Sequence, residues 1–287
     1  MDPEIDANNK GFIVARRPCG LGDNLGNLAL CWYLAKCQGK DLIIDWQKIA
    51  YHCHVFGDNL FPLVFNKSNI HGVQIFEPHD FPGAYEQQIK PKYKNKYSGM
   101  MLKDFKFKNT SFNNKDYFAH RFFSKLEIKP EIQKDINDFY QKNLLNKYII
   151  SVHFRFGDHG SLAKPSTKKA LNPSGKNTKI QIVENAVKLY SEKIDEIKKF
   201  HKDAVVLIFT DCKLFSNILS NSYDCVDTTN EYPEDGQAFH LSQFKNPYEK
   251  IRESVYLTWL MKSHSDFLLY SHSNFNYLPR LFIKKNM

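Results

Sequence analysis

The run Ser151-Val-His-Phe-Arg-Phe-Gly-Asp158 follows the apolar segment Tyr148-Ile149-Ile150 and sets an arginine at the mouth of a buried strand. A guanidinium presents a planar fork of donors that matches phosphate oxygens in a way a lysine point charge does not. In open α/β folds, ligands gather outside the carboxyl ends of the strands. Arg155 is therefore the first candidate for a phosphate contact, with a surface ion pair to Asp158 as the competing account. Side chains alternate along a strand, so His153 and Arg155 share one face while Phe154 and Phe156 point into packing. A satisfied core histidine is the other account of His153.

Three more segments carry residue types that suit a ligand. In Cys19-Gly20-Leu-Gly22-Asp23-Asn24 the glycines permit a tight turn and close backbone approach to a ligand at the following helix N-terminus. Asp23 and Asn24 are expected to face a cleft and contact a sugar, although an ordinary strand-to-helix turn with an Asp or Asn cap fits the same residues. In Ile208-Phe-Thr210-Asp211, at the end of a hydrophobic strand, the carboxylate could accept from two donors of a guanine edge or cap the helix that follows. In Ser271-His-Ser273-Asn274-Phe275, hydroxyls and free amides at a helix start make an anion site complementary to Arg155, or Ser273 is a plain N-cap.

These segments sit on recognisable elements. Residues 11–15 read as a strand, 25–37 as a helix and 41–46 as a second strand, a compact βαβ opening. From 51 to 109 the periodicity is lost, and a helix follows over 130–141. A second alternating series then runs strand 147–154, polar loop 157–178, helix 180–201, strand 204–210, helix 212–219, strand 224–228, helix 247–262, strand 266–270 and a last helix from 274. The pattern predicts an α/β protein of two Rossmann-like domains facing a central cleft, 1–145 and 146–287.

Composition narrows the partners. With 42% hydrophobic and 25% charged residues the chain is an ordinary globular protein, not a fibrous or disordered one. Its 40 basic against 31 acidic side chains give a net charge of +9, which favours anionic ligands. Much of that excess lies in 90–108, where lysines alternate with Tyr93, Tyr97, Phe105 and Phe107; this is a solvated face, or an acceptor or polyanion surface. The N-terminus lacks the basic and apolar regions of a signal peptide, no stretch is apolar enough to span a bilayer, and six cysteines without CxxC spacing suit reduced thiols. A cytoplasmic location is expected. His52-Cys53-His54 lacks the spacing of a zinc site, Gly175-Lys176 lacks the upstream glycine of a phosphate loop, and no HExxH or GxSxG motif is present. No metal ligand set is expected.

Taken together and in order, these segments resemble the GDP-fucose-dependent fucosyltransferase superfamily with the GT-B fold, nearest to the bacterial nodulation and α-1,6-fucosyltransferase-like proteins. Arg16-Arg17-Pro-Cys-Gly-Leu-Gly-Asp23 and the Leu-Ile-Ile-Asp45-Trp46 strand look like that family's opening, and HFRFGD looks like its HxRxxD strand. IFTD and Ser-His-Ser-Asn-Phe match its later strand ends. The resemblance implies an inverting, metal-independent transfer of fucose from GDP-fucose to a glycan or other hydroxyl acceptor. It implies that Arg155 binds the β-phosphate, that His153 and Asp211 contact guanine, and that Ser271, Ser273 and the amides near Asn274 and Phe275 hold phosphate. Asp158 and Thr210 complete the donor side, Asp23 or Asn24 faces fucose or acceptor, and Asp23 is the candidate base. No cofactor and no nucleic acid partner are expected. The position after Arg155, basic in many relatives, is Phe156 here. The alternative is a non-catalytic nucleotide- or polyanion-binding protein that uses the basic stretch 90–108.

Overall fold

The structure is a computed structural model that describes residues 11–17, 19–47, 59–89, 114–156, 179–229, 231–233, 246–271 and 273–283. The expectations placed on Cys53, the basic stretch 90–108, Asp158, the loop 157–178 and Gly175-Lys176 lie outside the described residues. The chain divides into two compact units, Met1–Lys129 and Pro130–Met287.

In the first unit the strands β1 (Phe12–Ala15), β2 (Asp41–Ile44) and β3 (Ile75–Phe76) form a parallel sheet in that order. The helix α1 (Leu21–Gln38) links β1 to β2 and is buried around most of its circumference. It stops at Gly39, whose φ of +61° is left-handed and whose N–H closes the last turn on the carbonyls of Ala35 and Lys36. A side chain has open space at Gly39, so backbone conformation alone selects glycine there. A buried polar tie holds β2 to the short helix α2 (Phe61–Val64): Asn59 accepts from the Trp46 N–H at 2.8 Å and donates to the Ile44 carbonyl at 2.8 Å and to Glu77 at 3.3 Å. The helix α3 (Asn114–Phe123) packs on α1 through Tyr33 and Phe118, 4.5 Å apart between centroids. Neither β3 nor α3 was expected from the sequence.

The second unit opens with α4 (Pro130–Asn143) and holds a four-stranded parallel sheet in the order β6-β5-β4-β7. Its strands are β4 (Ile149–Phe154), β5 (Val205–Thr210), β6 (Cys225–Asp227) and β7 (Phe267–Tyr270). Every residue of β4 and β5 is buried, and α5 (Lys179–Lys198) and α6 (Lys213–Ser220) cover one face of the sheet, sharing a core cluster with Ile150, Val152, Phe154, Val206 and Ile208. The helix α7 (Pro247–His264) leads into β7 and packs on α4, with His264 stacked on Tyr140 at 4.2 Å and Phe139 edge-on to Tyr256. That packing groups α4 with the second unit, whereas the sequence reading placed residues up to 145 with the first.

The strand order positions the site. The chain steps outward from β4 to β5 to β6, then returns through α7 to lay β7 on the other side of β4. The direction of winding reverses between β4 and β7. At such a reversal the crossover connections leave in opposite directions and a crevice opens beyond the strands' carboxyl ends.

Candidate anion-binding site at the strand ends

Arg155 is the first residue beyond β4, and Ser271 is the first beyond β7, so the two flank the reversal point. Their backbones are tied together. The Arg155 N–H donates to Ser271 Oγ at 3.1 Å, and the Ser271 N–H donates to the His153 carbonyl at 2.9 Å. On the other side the Phe156 N–H donates to Asp211 Oδ1 at 2.6 Å, joining β4 to the end of β5. Arg155 is thus held from both neighbouring strands at its own amide and at the next. Phe156 packs against the core cluster, so the segment is anchored by an apolar side chain as well.

His153 is buried at 5% exposure. Its Nδ1 lies 3.1 Å from Asn276 Nδ2, its ring stacks on Phe275 with centroids 5.4 Å apart, and its carbonyl accepts from the Tyr190 hydroxyl at 3.0 Å. Burial, with the Arg155 charge adding to it, pushes the His153 pKa down to about 3. The imidazole is neutral at physiological pH. Tyr190 comes from the middle of α5 and is wedged edge-on between Phe154 and Phe215; burial pushes its phenol up, against a hydrogen bond from Ser271. His153 and Tyr190 are therefore neutral groups beside the Arg155 cation, and the Asp211 carboxylate lies at the Phe156 N–H on the other side.

Several of the expected site residues also make local structural contacts. Ser273 Oγ accepts the Phe275 N–H at 3.2 Å, the local capping arrangement, so that amide is engaged within the turn Asn274–Asn276. Asp211 is not the cap of α6; Cys212 holds that position, and its N–H bonds to Thr210 Oγ1 at 3.1 Å. The Thr210 carbonyl in turn accepts from the Thr229 hydroxyl at 3.0 Å.

The glycine segment of the first unit also differs from expectation. The helix α1 begins at Leu21, not at Leu25, so Gly22, Asp23 and Asn24 form its first turn and Gly20 is its extended N-cap at φ −66°. Neither glycine has a positive φ, so no left-handed turn calls for them. Asn24 is fully buried and its Nδ2 donates to the carbonyls of Cys19, at 2.5 Å, and Gly20, at 3.0 Å. Asp23, partly exposed in that turn, pairs with Arg17 at 3.3 Å, and its charge suits the positive end of α1. Arg16 reaches the buried Asp45 at 3.6 Å, which also accepts from the Tyr85 hydroxyl at 2.6 Å.

Residues that sequence reasoning missed are Asn276, Tyr190 and the carboxylate of Asp227. The last accepts from the hydroxyls of Ser216 and Tyr232 and, at 2.8 Å, from the Thr229 N–H. Asn276 lies three residues beyond Ser273, one residue past the segment Ser271–Phe275 already singled out. Tyr190 carries no local signal, because only the packing of α5 on β4 brings it to the site. Among the described residues, no three His, Cys, Asp or Glu side chains converge as a metal ligand set.

A family model described as nodulation protein Z (NodZ) matches residues 9–125. The solved structure of fucosyltransferase NodZ from Bradyrhizobium superposes with a TM-score of 0.64 at 18% identity, covering 95% of this chain and 93% of that one. The chain has the fold of fucosyltransferase NodZ. Expectation and structure agree here: a GT-B-like α/β protein of two parallel-sheet units. A second structure, NodZ α-1,6-fucosyltransferase soaked with GDP-fucose, gives a TM-score of 0.62 at 18% identity over 95% of this chain and 92% of that one. Nodulation protein Z of Bradyrhizobium diazoefficiens is 27% identical over 187 residues, or 53% of this chain and 49% of the relative. The chain spans about half the length of the curated relatives it matches. No helix among the described residues is long and apolar enough to cross a membrane.

Proposed function

We propose that this protein is a glycosyltransferase that transfers fucose from GDP-fucose to a hydroxyl-bearing acceptor, with inversion at the anomeric carbon and without a metal ion. The observation that carries the reading is the placement of Arg155: a cation braced on two sides, at the point where the sheet of the second unit reverses its winding. The fold adds support, since a structural neighbour was solved with GDP-fucose.

In this reading the acceptor oxygen attacks the anomeric carbon as the bond to the β-phosphate oxygen breaks, and GDP leaves with the electron pair. Charge grows on the diphosphate in the transition state, and a guanidinium fixed in advance stabilises it without reorganising. Its brace matters, because a donor about 1 Å out of place loses much of its effect. The neutral His153 adds no second charge and suits recognition of the uncharged part of the nucleotide. The proton of the acceptor goes to a carboxylate, for which Asp23 remains the candidate.

Thermal shift with GDP, UDP and ADP in the presence of EDTA tests the donor assignment, since a ligand bound to the native state raises the transition. Stabilisation by GDP alone, together with turnover of GDP-fucose in EDTA, is expected. Equal shifts from all three nucleotides, or GDP binding without turnover, would point instead to a general nucleotide- or polyanion-binding protein.

A further inference from the structure

Asn276 has a role that the donor-site reading does not yet contain. The residue is fully buried, and its Nδ2 lies 2.9 Å from the Ser271 carbonyl and 3.1 Å from His153 Nδ1. A carbonyl oxygen only accepts, so the amide atom facing it is the nitrogen, and this fixes the orientation of the side chain. That nitrogen carries two hydrogens, one for each neighbour. His153 Nδ1 therefore accepts and bears no hydrogen, which leaves the ring proton on Nε2. The Asn276 oxygen is buried without a partner among the described residues. Leaving an acceptor unsatisfied costs free energy, so the side chain is held for what its nitrogen donates.

We infer that Asn276 is a positioning residue that fixes His153 as an Nε2–H donor toward an acceptor atom of the bound nucleotide, an inference that rests on the nucleotide reading given above. The stacked Phe275 ring fixes the imidazole plane. The other charged or titratable groups around the ring agree with this tautomer. Arg155 disfavours a second positive charge, Tyr190 spends its proton on the His153 carbonyl, and the Asp211 carboxylate is bonded to the Phe156 N–H. Burial keeps the ring uncharged, so the donor persists across the physiological pH range.

Nitrogen-15 NMR of histidine-labelled full-length protein without nucleotide, with the signal assigned by His153→Gln, reads the tautomer directly. A protonated Nε2 and a bare Nδ1 from pH 8 to pH 5 are expected. A protonated Nδ1 anywhere in that range overturns the inference, whatever the protein binds. Asn276→Asp supplies the functional arm. Its carboxylate accepts a hydrogen bond from Nδ1–H and so holds the ring proton on Nδ1, and the neutral ring turns a bare Nε2 toward the ligand. The GDP dissociation constant, taken as a ratio to wild type so that the nucleotide's own ionisation cancels, should rise about tenfold at pH 8, the scale of one lost hydrogen bond. It should recover toward one as the ring gains its second proton at lower pH. A loss that is the same at every pH would mean that Asn276 is merely structural. Absence of any GDP binding by wild type would defeat the nucleotide reading and leave the tautomer to be judged by the NMR alone.

Discussion

The bond between Asp211 Oδ1 and the Phe156 N–H, at 2.6 Å, holds the exit of β4 against the exit of β5, and Asp211→Ala removes it. A hydrogen bond to a charged group contributes about 1.5–3 kcal/mol, and the Phe156 N–H left behind is only partly reached by water. Asp211 is itself partly exposed, which argues for the lower part of that range, about 2 kcal/mol. For a unit of this size each kcal/mol moves the midpoint by about 2–4 °C, so the transition of the second unit should fall by about 4–8 °C. Asp211→Asn keeps an acceptor but not its charge, and neutral bonds are roughly half as strong, so about half the loss should return. Urea unfolding followed by near-ultraviolet circular dichroism gives the stability, and titration with GDP gives the consequence for the site. Affinity should drop about tenfold in Asp211→Ala, because the amide next to Arg155 is no longer held. A variant within about 0.5 kcal/mol of wild type, the usual scatter of surface substitutions, would refute the brace.

Two further outcomes follow from buried groups. His153 has a folded pKa near 3 against about 6.5 unfolded, so between those values the unfolded chain binds the extra proton. Its contribution is complete above about pH 6.5 and is lost as the pH falls toward 3, at about 1.4 kcal/mol per pH unit; His153→Gln should flatten that part of a stability-against-pH curve measured by urea unfolding. In the first unit, Asn59→Ala strands the Trp46 N–H and the Ile44 carbonyl in a buried setting, and urea unfolding should show a loss of about 2–4 kcal/mol, against about 1 kcal/mol for an average substitution.

The alternation of elements was legible in the sequence because β5 is an apolar run up to Thr210, β4 is one interrupted only by Ser151 and His153, and the helix between them carries 3.6-residue spacing. Arg155 and Ser271 could be found for the same reason: each stands where such a run stops. What escaped notice depended on neighbours remote in sequence. The two residues of β3 are too few to show a period, and Ile75 and Phe76 become strand only by pairing with Leu42 and Ile43. The start of α1 was read four residues late because Gly20 and Gly22 suggested a turn, whereas Gly22 is buried in the helix with a negative φ. The bond from Tyr190 to the His153 carbonyl and the bond from Asn276 to its ring cross 37 and 123 residues of chain. No local pattern encodes either.

The role proposed for Arg155 is to hold the diphosphate of a guanine nucleotide. Calorimetric titration of wild type and Arg155→Ala with GDP and with guanosine, in EDTA, tests it most directly. Removing one member of a close charge pair costs about 2–5 kcal/mol, so GDP should bind the variant at least about 30-fold more weakly while guanosine binds both proteins alike. Equal affinity of the two proteins for GDP would contradict the account.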